Sequence, residues 1–333
     1  MSDPHYVYNM TVKMFGPEAE PAFETEEQQA AVWGRQWGCD NDVGRLRRVL
    51  VHRPGEEFKV IDPAKRIESI GSYGDPDEGW YWQSETIPDL GALQAQHDAL
   101  VQALRDEGAE VVFLEGVSGG RFKSCYTRDS SFAVKGGAVV CRMAPRMRRG
   151  EEAVVTKTLA KLGMPILRTL HGTALAEGGS FAWLNSRTAA IGRSIRINDE
   201  GIQQIAEVLA RQGVELIPVN LCGYDIHIDG ALVMIDVDLA LIDPTRLPYE
   251  FLEKLKALKI RTIEITPEDN SWIVNCLAVR PGRVIMPPGV SKRTREALDR
   301  AEVEIVTLAY DKMQLNGGGI HCSTCPLVRD PVD

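Results

Sequence analysis

The chain has no apolar run approaching the roughly 18 residues that span a bilayer. It has no low-complexity segment and no excess of basic residues. Lys and Arg number 38 against 47 Asp and Glu, a net charge of −9, so it lacks the electrostatic footprint of a nucleic-acid or anionic-membrane binder. Its first residues, MSDPHYVYNMTVKMFG, lack the basic-then-apolar pattern of a secretory signal. Cysteine is sparse and odd in number, 7 in 333 residues, which argues against a disulfide framework. The expectation is a cytoplasmic protein with free thiols, no membrane partner and no nucleic-acid partner, and self-association left open.

What is present is an ordinary globular composition, 44% hydrophobic and 26% charged, arranged as a repeat. Helical spacing in DLGALQAQHDALVQALRDEG gives way to the strand-like AEVVFLE, and GEEAVVTKTLAKLG leads to MPILRTL. The same order recurs in DEGIQQIAEVLARQG with VELIPV, PYEFLEKLKAL with KIRTIEIT, and SKRTREALDRA with EVEIVTLA. Between these units lie apolar pairs joined by turn residues, as in SFAVKGGAVVC, FAWLNSRTAAIG and NCLAVRPGRVIM. One unit is therefore hairpin, helix, strand, and it occurs about five times, the mark of a repeat architecture. Three strands per helix do not suit a doubly wound sheet. They suit an α/β ring of five small sheets whose loops converge on one face. Residues 1–30 read as a polar N-terminal extension, and 31–333 as a single catalytic domain.

Four short stretches place polar residues beside apolar hairpins. They are YTRDSS with Asp129, EGGS with Glu177, DIHID with His227 and Asp229, and GGGIHC with Cys322. Each has a plainer reading. Asp129 suits an ion pair with Arg128, Glu177 a turn acid, and His227 a core histidine. Cys322 and Cys325 form a CxxC, but Pro326 leaves no room for a thioredoxin-type helix, and no second ligand pair completes a zinc site. Taken together, the four favour a cysteine nucleophile served by a histidine and carboxylates, with no metal and no cofactor. Carboxylates raise a thiol's pKa, a poor arrangement unless the substrate is itself a cation. A guanidinium stays protonated at physiological pH and is held by carboxylates through paired hydrogen bonds.

These residues resemble the guanidino-group-modifying enzymes, and their motifs are most similar to those of the arginine deiminases. The resemblance runs over roughly residues 40–333, through DVGRLRRVLVHRPG, YTRDSSFAVKGG, EGG, DIHIDGALVMID and GGGIHCSTCPLVRDP. It implies a five-bladed pseudo-symmetric α/β propeller. It implies Cys322 as nucleophile, His227 and Glu177 as proton carriers, Asp129 and Asp229 as guanidinium ligands, and Arg196 as the ligand of a substrate carboxylate. The implied reaction is hydrolysis of arginine or an arginine-like guanidino compound through a covalent S-alkylthiouronium. Transfer of the amidino group to an amine is the alternative. Two features depart from the deiminase pattern: Ser180 follows EGG where an aspartate is usual, and the deiminases' extra helical segment is lacking. The aromatic run Trp80-Tyr81-Trp82 reads either as packing or as a lid over a cation.

Overall fold

A computed structural model describes residues 4–13 and 25–332. The chain forms two units, Met1–Gln36 and Trp37–Asp333. The first contains a short helix, Glu26–Trp33, opened by Thr25, whose side chain accepts from the Gln28 amide. Most of the acidic stretch expected in the extension, residues 14–24, lies outside the described residues.

The second unit is built from the repeat anticipated above. Hairpin Ser131–Val134 and Gly137–Val140 is followed by helix Glu151–Leu162 and strand Ile166–Thr169, which pairs parallel to the hairpin's second strand. Phe181–Asn185, Thr188–Arg193 and Glu215–Asn220 repeat the pattern. So do Leu232–Asp236, Leu239–Ile242 and Arg261–Glu264, and Leu277–Arg280, Arg283–Met286 and Glu304–Thr307. These four blades are local in sequence, because an antiparallel pair needs only a tight turn while the parallel third strand needs a crossover helix. Each crossover helix buries one face; Val155 and Leu159 are fully buried on the helix Glu151–Leu162.

The fifth blade is not local. Its middle strand, Leu46–Val51, pairs parallel with Glu110–Phe113 and antiparallel with Cys325–Arg329 at the other end of the chain. The C-terminal strand thus fills the position that a hairpin's first strand fills in the other blades. The first strands pack side by side: Leu232–Asp236 lies between Phe181–Asn185 and Leu277–Arg280, and Cys325–Arg329 lies against Ser131–Val134. The result is the five-bladed pseudo-symmetric α/β propeller. Between Leu46–Val51 and its helix Leu90–Asp106 the chain inserts a small sheet, Arg66–Ile67, Ser72–Asp75 and Trp80–Trp82, that the periodicity did not reveal. No helix among the described residues is long and apolar enough to cross a membrane.

Candidate active site

The propeller puts one polar residue just ahead of the first strand of each blade. Asp129 precedes Ser131–Val134, Glu177 precedes Phe181–Asn185, His227 precedes Leu232–Asp236, Asn275 precedes Leu277–Arg280, and Cys322 precedes Cys325–Arg329. Strands that pack around one axis bring these positions together although they lie roughly fifty residues apart in sequence. Four of the five were anticipated. Asn275 was not, and the signal was available: it opens the hairpin NCLAVRPGRVIM, as Asp129, Glu177 and His227 stand before theirs.

The sulfur sits among donors and one acid. The Asn275 Nδ2–H donates to Cys322 Sγ at 3.2 Å, and the Cys322 backbone N–H donates to Asn275 Oδ1 at 3.3 Å. Asp229 Oδ2 lies 3.4 Å from the sulfur and accepts from His321 Nδ1 at 2.8 Å. Burial and the charges of Asp229 and Asp129 push the Cys322 thiol well above its usual value, against the opposing donors at Gly319 and Asn275. Burial also pushes Asp229 up, but the His321 hydrogen bond and nearby cations outweigh it and the carboxyl lies below its usual range.

The second polar group faces the first. His227 Nε2–H donates to Glu177 Oε2 at 2.8 Å, and its Nδ1 lies 3.6 Å from Asp129 Oδ1. Arg196 Nη1 donates to both oxygens of Glu177, at 3.2 and 3.0 Å, and the Ala144 amide adds a third donor. Burial raises the Glu177 carboxyl, but the His227 bond and the Arg196 charge overcome it and hold the group at about 2. His227 moves the other way. Burial disfavours its charge, yet Asp129 and Glu177 together raise it above the usual value.

Asp129 is not paired with its neighbour Arg128. Its Oδ2 accepts from Arg148 Nη1 at 2.5 Å and its Oδ1 from the Gly179 amide at 3.2 Å. Arg148 in turn forks onto Glu151 through two 2.8 Å bonds. Arg128 instead donates its backbone N–H to the carbonyl of Cys322 and its Nε–H to that of His321. Adjacent side chains leave the backbone in different directions, so the sequence neighbour and the spatial partner differ. Asp129, Glu177 and His227 offer ligand atoms within 4.8 Å of one another, but a metal cation there would face Arg148 and Arg196, which already neutralise the two acids.

The glycines of the motifs have a geometric reason. A side chain at Gly179 would place its Cβ 2.7 Å from both Asp129 Oδ1 and His227 Nδ1, and one at Gly319 would meet Asn275 Oδ1 at 2.5 Å. The tail must lie flush against the other blades for the thiol to reach the axis. All seven cysteines are free, and Cys325 is buried with its sulfhydryl directed at the carbonyl of Ser131, 3.3 Å away.

Two cavities share a wall made by Tyr81, Arg196, His227, Gly317 and Cys322. The outer, about 470 Å³, is further lined by Tyr224, Asp229, Arg246 and Trp272. The inner, about 40 Å³, is further lined by Lys123, Asp129 and Arg148. Strand alternation divides the aromatic run: Trp80 and Trp82 are buried in the core, while Tyr81 faces the cavities.

The family model for eukaryotic N,N dimethylarginine dimethylhydrolases matches residues 83–329. The chain belongs to this family. Membership places it in the guanidino-group-modifying superfamily and, by family, among the guanidino-group hydrolases. The chain is 26% identical over 238 residues to the N(G),N(G)-dimethylarginine dimethylaminohydrolase of Pseudomonas aeruginosa, covering 71% of this chain and 88% of that one. It is 22% identical over 411 aligned positions to the arginine deiminase of Rhodococcus erythropolis, covering 89% and 98%. The Pseudomonas aeruginosa dimethylarginine dimethylaminohydrolase complexed with citrulline superimposes with a TM-score of 0.68 at 21% identity, covering 84% of this chain and 99% of that one. The family model begins just after Trp80–Trp82, so Tyr81 lies outside the matched region.

Proposed function

We propose that the chain hydrolyses the guanidino group of arginine or an arginine-like compound through a covalent Cys322 adduct, with Asp129 and Asp229 holding the guanidinium. The observation that carries this is the position of Cys322 on the wall between the two cavities, 3.4 Å from Asp229 and opposite the His227–Glu177 pair. Without substrate the thiol stays protonated, because burial and the acids disfavour its anion. A bound guanidinium supplies the missing positive charge and favours the thiolate, which is the reactive form. The thiol passes its proton to solvent water, and its sulfur bonds to the guanidinium carbon. The imidazolium of His227, kept charged by Asp129 and Glu177, protonates the nitrogen that leaves, and the carbon–nitrogen bond breaks to release ammonia or an amine. Neutral His227 then takes a proton from water, and the water oxygen attacks the thiouronium carbon. The carbon–sulfur bond breaks, returning the cysteine and leaving a ureido product. Arg196, whose Nη1 is engaged by Glu177, lines both cavities and is proposed as the ligand of a substrate carboxylate.

The experiment is a panel of guanidines, including arginine and its N-methylated forms, scored for ammonia or amine and for ureido product with the wild-type protein and Cys322→Ala. Mass spectrometry of the quenched His227→Ala reaction is expected to show an adduct on the Cys322 peptide. Full turnover by Cys322→Ala overturns the mechanism. A new guanidine formed only when an amine is added assigns amidino transfer instead.

A further inference from the structure

The cavities are walled by several basic side chains, and all but one are matched by acids. Arg148 is paired with Asp129 and Glu151, Arg196 with Glu177, and Arg246 with Asp225. Lys123 is the exception among the basic residues that line the two cavities. It is 8% exposed, and its Nζ donates to two backbone carbonyls, that of Tyr81 at 2.9 Å and that of Asn316. The ammonium also lies 4.2 Å from the centre of the Tyr81 ring. No carboxylate meets it. Taking a charge out of water without a counter-ion is costly, and the cost is removed when an anion arrives. Lys123 lines the inner cavity together with Cys322, so that anion has a place to arrive from.

We propose that Lys123 is a specificity-determining residue that binds a carboxylate of the substrate inside the inner cavity, so that the preferred substrates are short guanidino acids, with one or two methylenes between guanidinium and carboxylate. The inference rests on the guanidino-hydrolase reading above and narrows its substrate class. The size of the cavity sets the length. A volume of about 40 Å³ holds roughly three water-sized groups, and a carboxylate has three heavy atoms. An acid anchored there stays close to Cys322, so a short linker brings the guanidinium carbon to the sulfur, whereas the longer side chain of arginine sends its carboxylate to the outer cavity and Arg196. A dimethylamino group also has three heavy atoms, but it would set two methyls against an ammonium that lacks an anion. Burial pushes Lys123 down to about 7, with Arg148 and Arg196 adding to the repulsion and Cys125 and Asp129 opposing it. A carboxylate at Nζ reverses that shift.

The test compares kcat/KM for guanidinoacetate and 3-guanidinopropionate with that for ethylguanidine and propylguanidine, which have similar lengths and no carboxylate. Arginine and N(G),N(G)-dimethylarginine complete the panel. The wild-type protein is expected to favour the short acids over the alkylguanidines by at least tenfold. In Lys123→Met that ratio falls to within threefold of unity, and in Lys123→Arg the preference for the acids persists. An unchanged ratio in Lys123→Met overturns the proposal, and so does a tenfold wild-type preference for dimethylarginine over both short acids. If no guanidine is turned over, the hydrolase reading fails, and calorimetric titration of guanidinoacetate and ethylguanidine into the wild-type protein and Lys123→Met still decides the role of Lys123. Equal affinities for the two ligands in the wild type overturn it.

Discussion

Oδ2 of Asp229 is shared between two donors from adjacent residues, accepting from His321 Nδ1 at 2.8 Å and facing Cys322 Sγ at 3.4 Å. Burial and the Arg128 charge lower the His321 imidazole, against the pull of Asp229, so it stays neutral near pH 7 and its Nδ1–H fixes the carboxylate. One acid therefore suppresses the thiolate in the empty site and is proposed to hold the cation that generates it. Asp229→Asn is expected to speed alkylation of Cys322 by iodoacetamide at pH 8 while lowering turnover at least tenfold. His321→Leu, which frees the carboxylate to move, is expected to shift the pH profile of alkylation, and His321→Asn, which keeps a donor near the Nδ1 position, to restore it in part. Alkylation rates that are the same in all four proteins would refute this coupling.

The two thiols of the CxxC have different surroundings, and substitution is expected to separate them. Cys322→Ala abolishes turnover because no other group near the guanidinium forms the covalent adduct. Cys325 points its sulfhydryl at the carbonyl of Ser131, inside the sheet that closes the ring. Cys325→Ala is expected to retain activity and to lose about 1 kcal/mol of stability, in line with a small core truncation. Urea unfolding and steady-state rates of the two variants check this directly.

Asp129 serves two guanidinium groups if the proposed mechanism holds, that of Arg148 and that of the substrate. Asp129→Asn keeps the shape and removes the charge from a buried network of Arg148 and Glu151. Calorimetry in a Cys322→Ser background is expected to show at least a tenfold loss of substrate affinity, about 1.4 kcal/mol. The same variant is expected to lose about 2 kcal/mol of stability, since a charge-assisted bond to a buried arginine is replaced by a neutral one. His227→Gln should weaken binding much less while lowering kcat. Equal loss of affinity in the two variants would contradict this division between holding the cation and moving protons.

The Glu177–His227 pair makes stability depend on pH with a defined sign. Glu177 titrates at about 2 in the fold against 4.5 as an ordinary glutamate, so the folded state gains from its ionisation. That gain, of order 3 kcal/mol, is fully present above pH 4.5 and is lost as the pH falls toward 2. His227 is raised above its usual 6.5, so its contribution is present below that value and is lost as the pH rises through its folded-state pKa. Urea titrations between pH 2 and 8 are expected to show Glu177→Gln much less stable than wild type near pH 5.5, with the gap narrowing in acid. A gap independent of pH would assign the loss to packing instead.

The sequence by itself determined the local and periodic features. Hairpins, crossover helices and parallel third strands were legible because alternation and helical spacing are written into neighbouring residues. The residues proposed to carry the chemistry, Asp129, Glu177, His227, Asp229 and Cys322, were picked out in the sequence because a thiol among acids makes sense only beside a cation. Partners were not legible. Arg148 lies 19 positions from Asp129, Asn275 lies 47 from Cys322, and the Asn316 carbonyl lies 193 from Lys123. The last two pairs exist because the last strand, Cys325–Arg329, docks beside Leu46–Val51 and closes the ring. Closure brings five loops to one axis, and there Lys123 is held by the carbonyls of Tyr81 and Asn316 and by no acid.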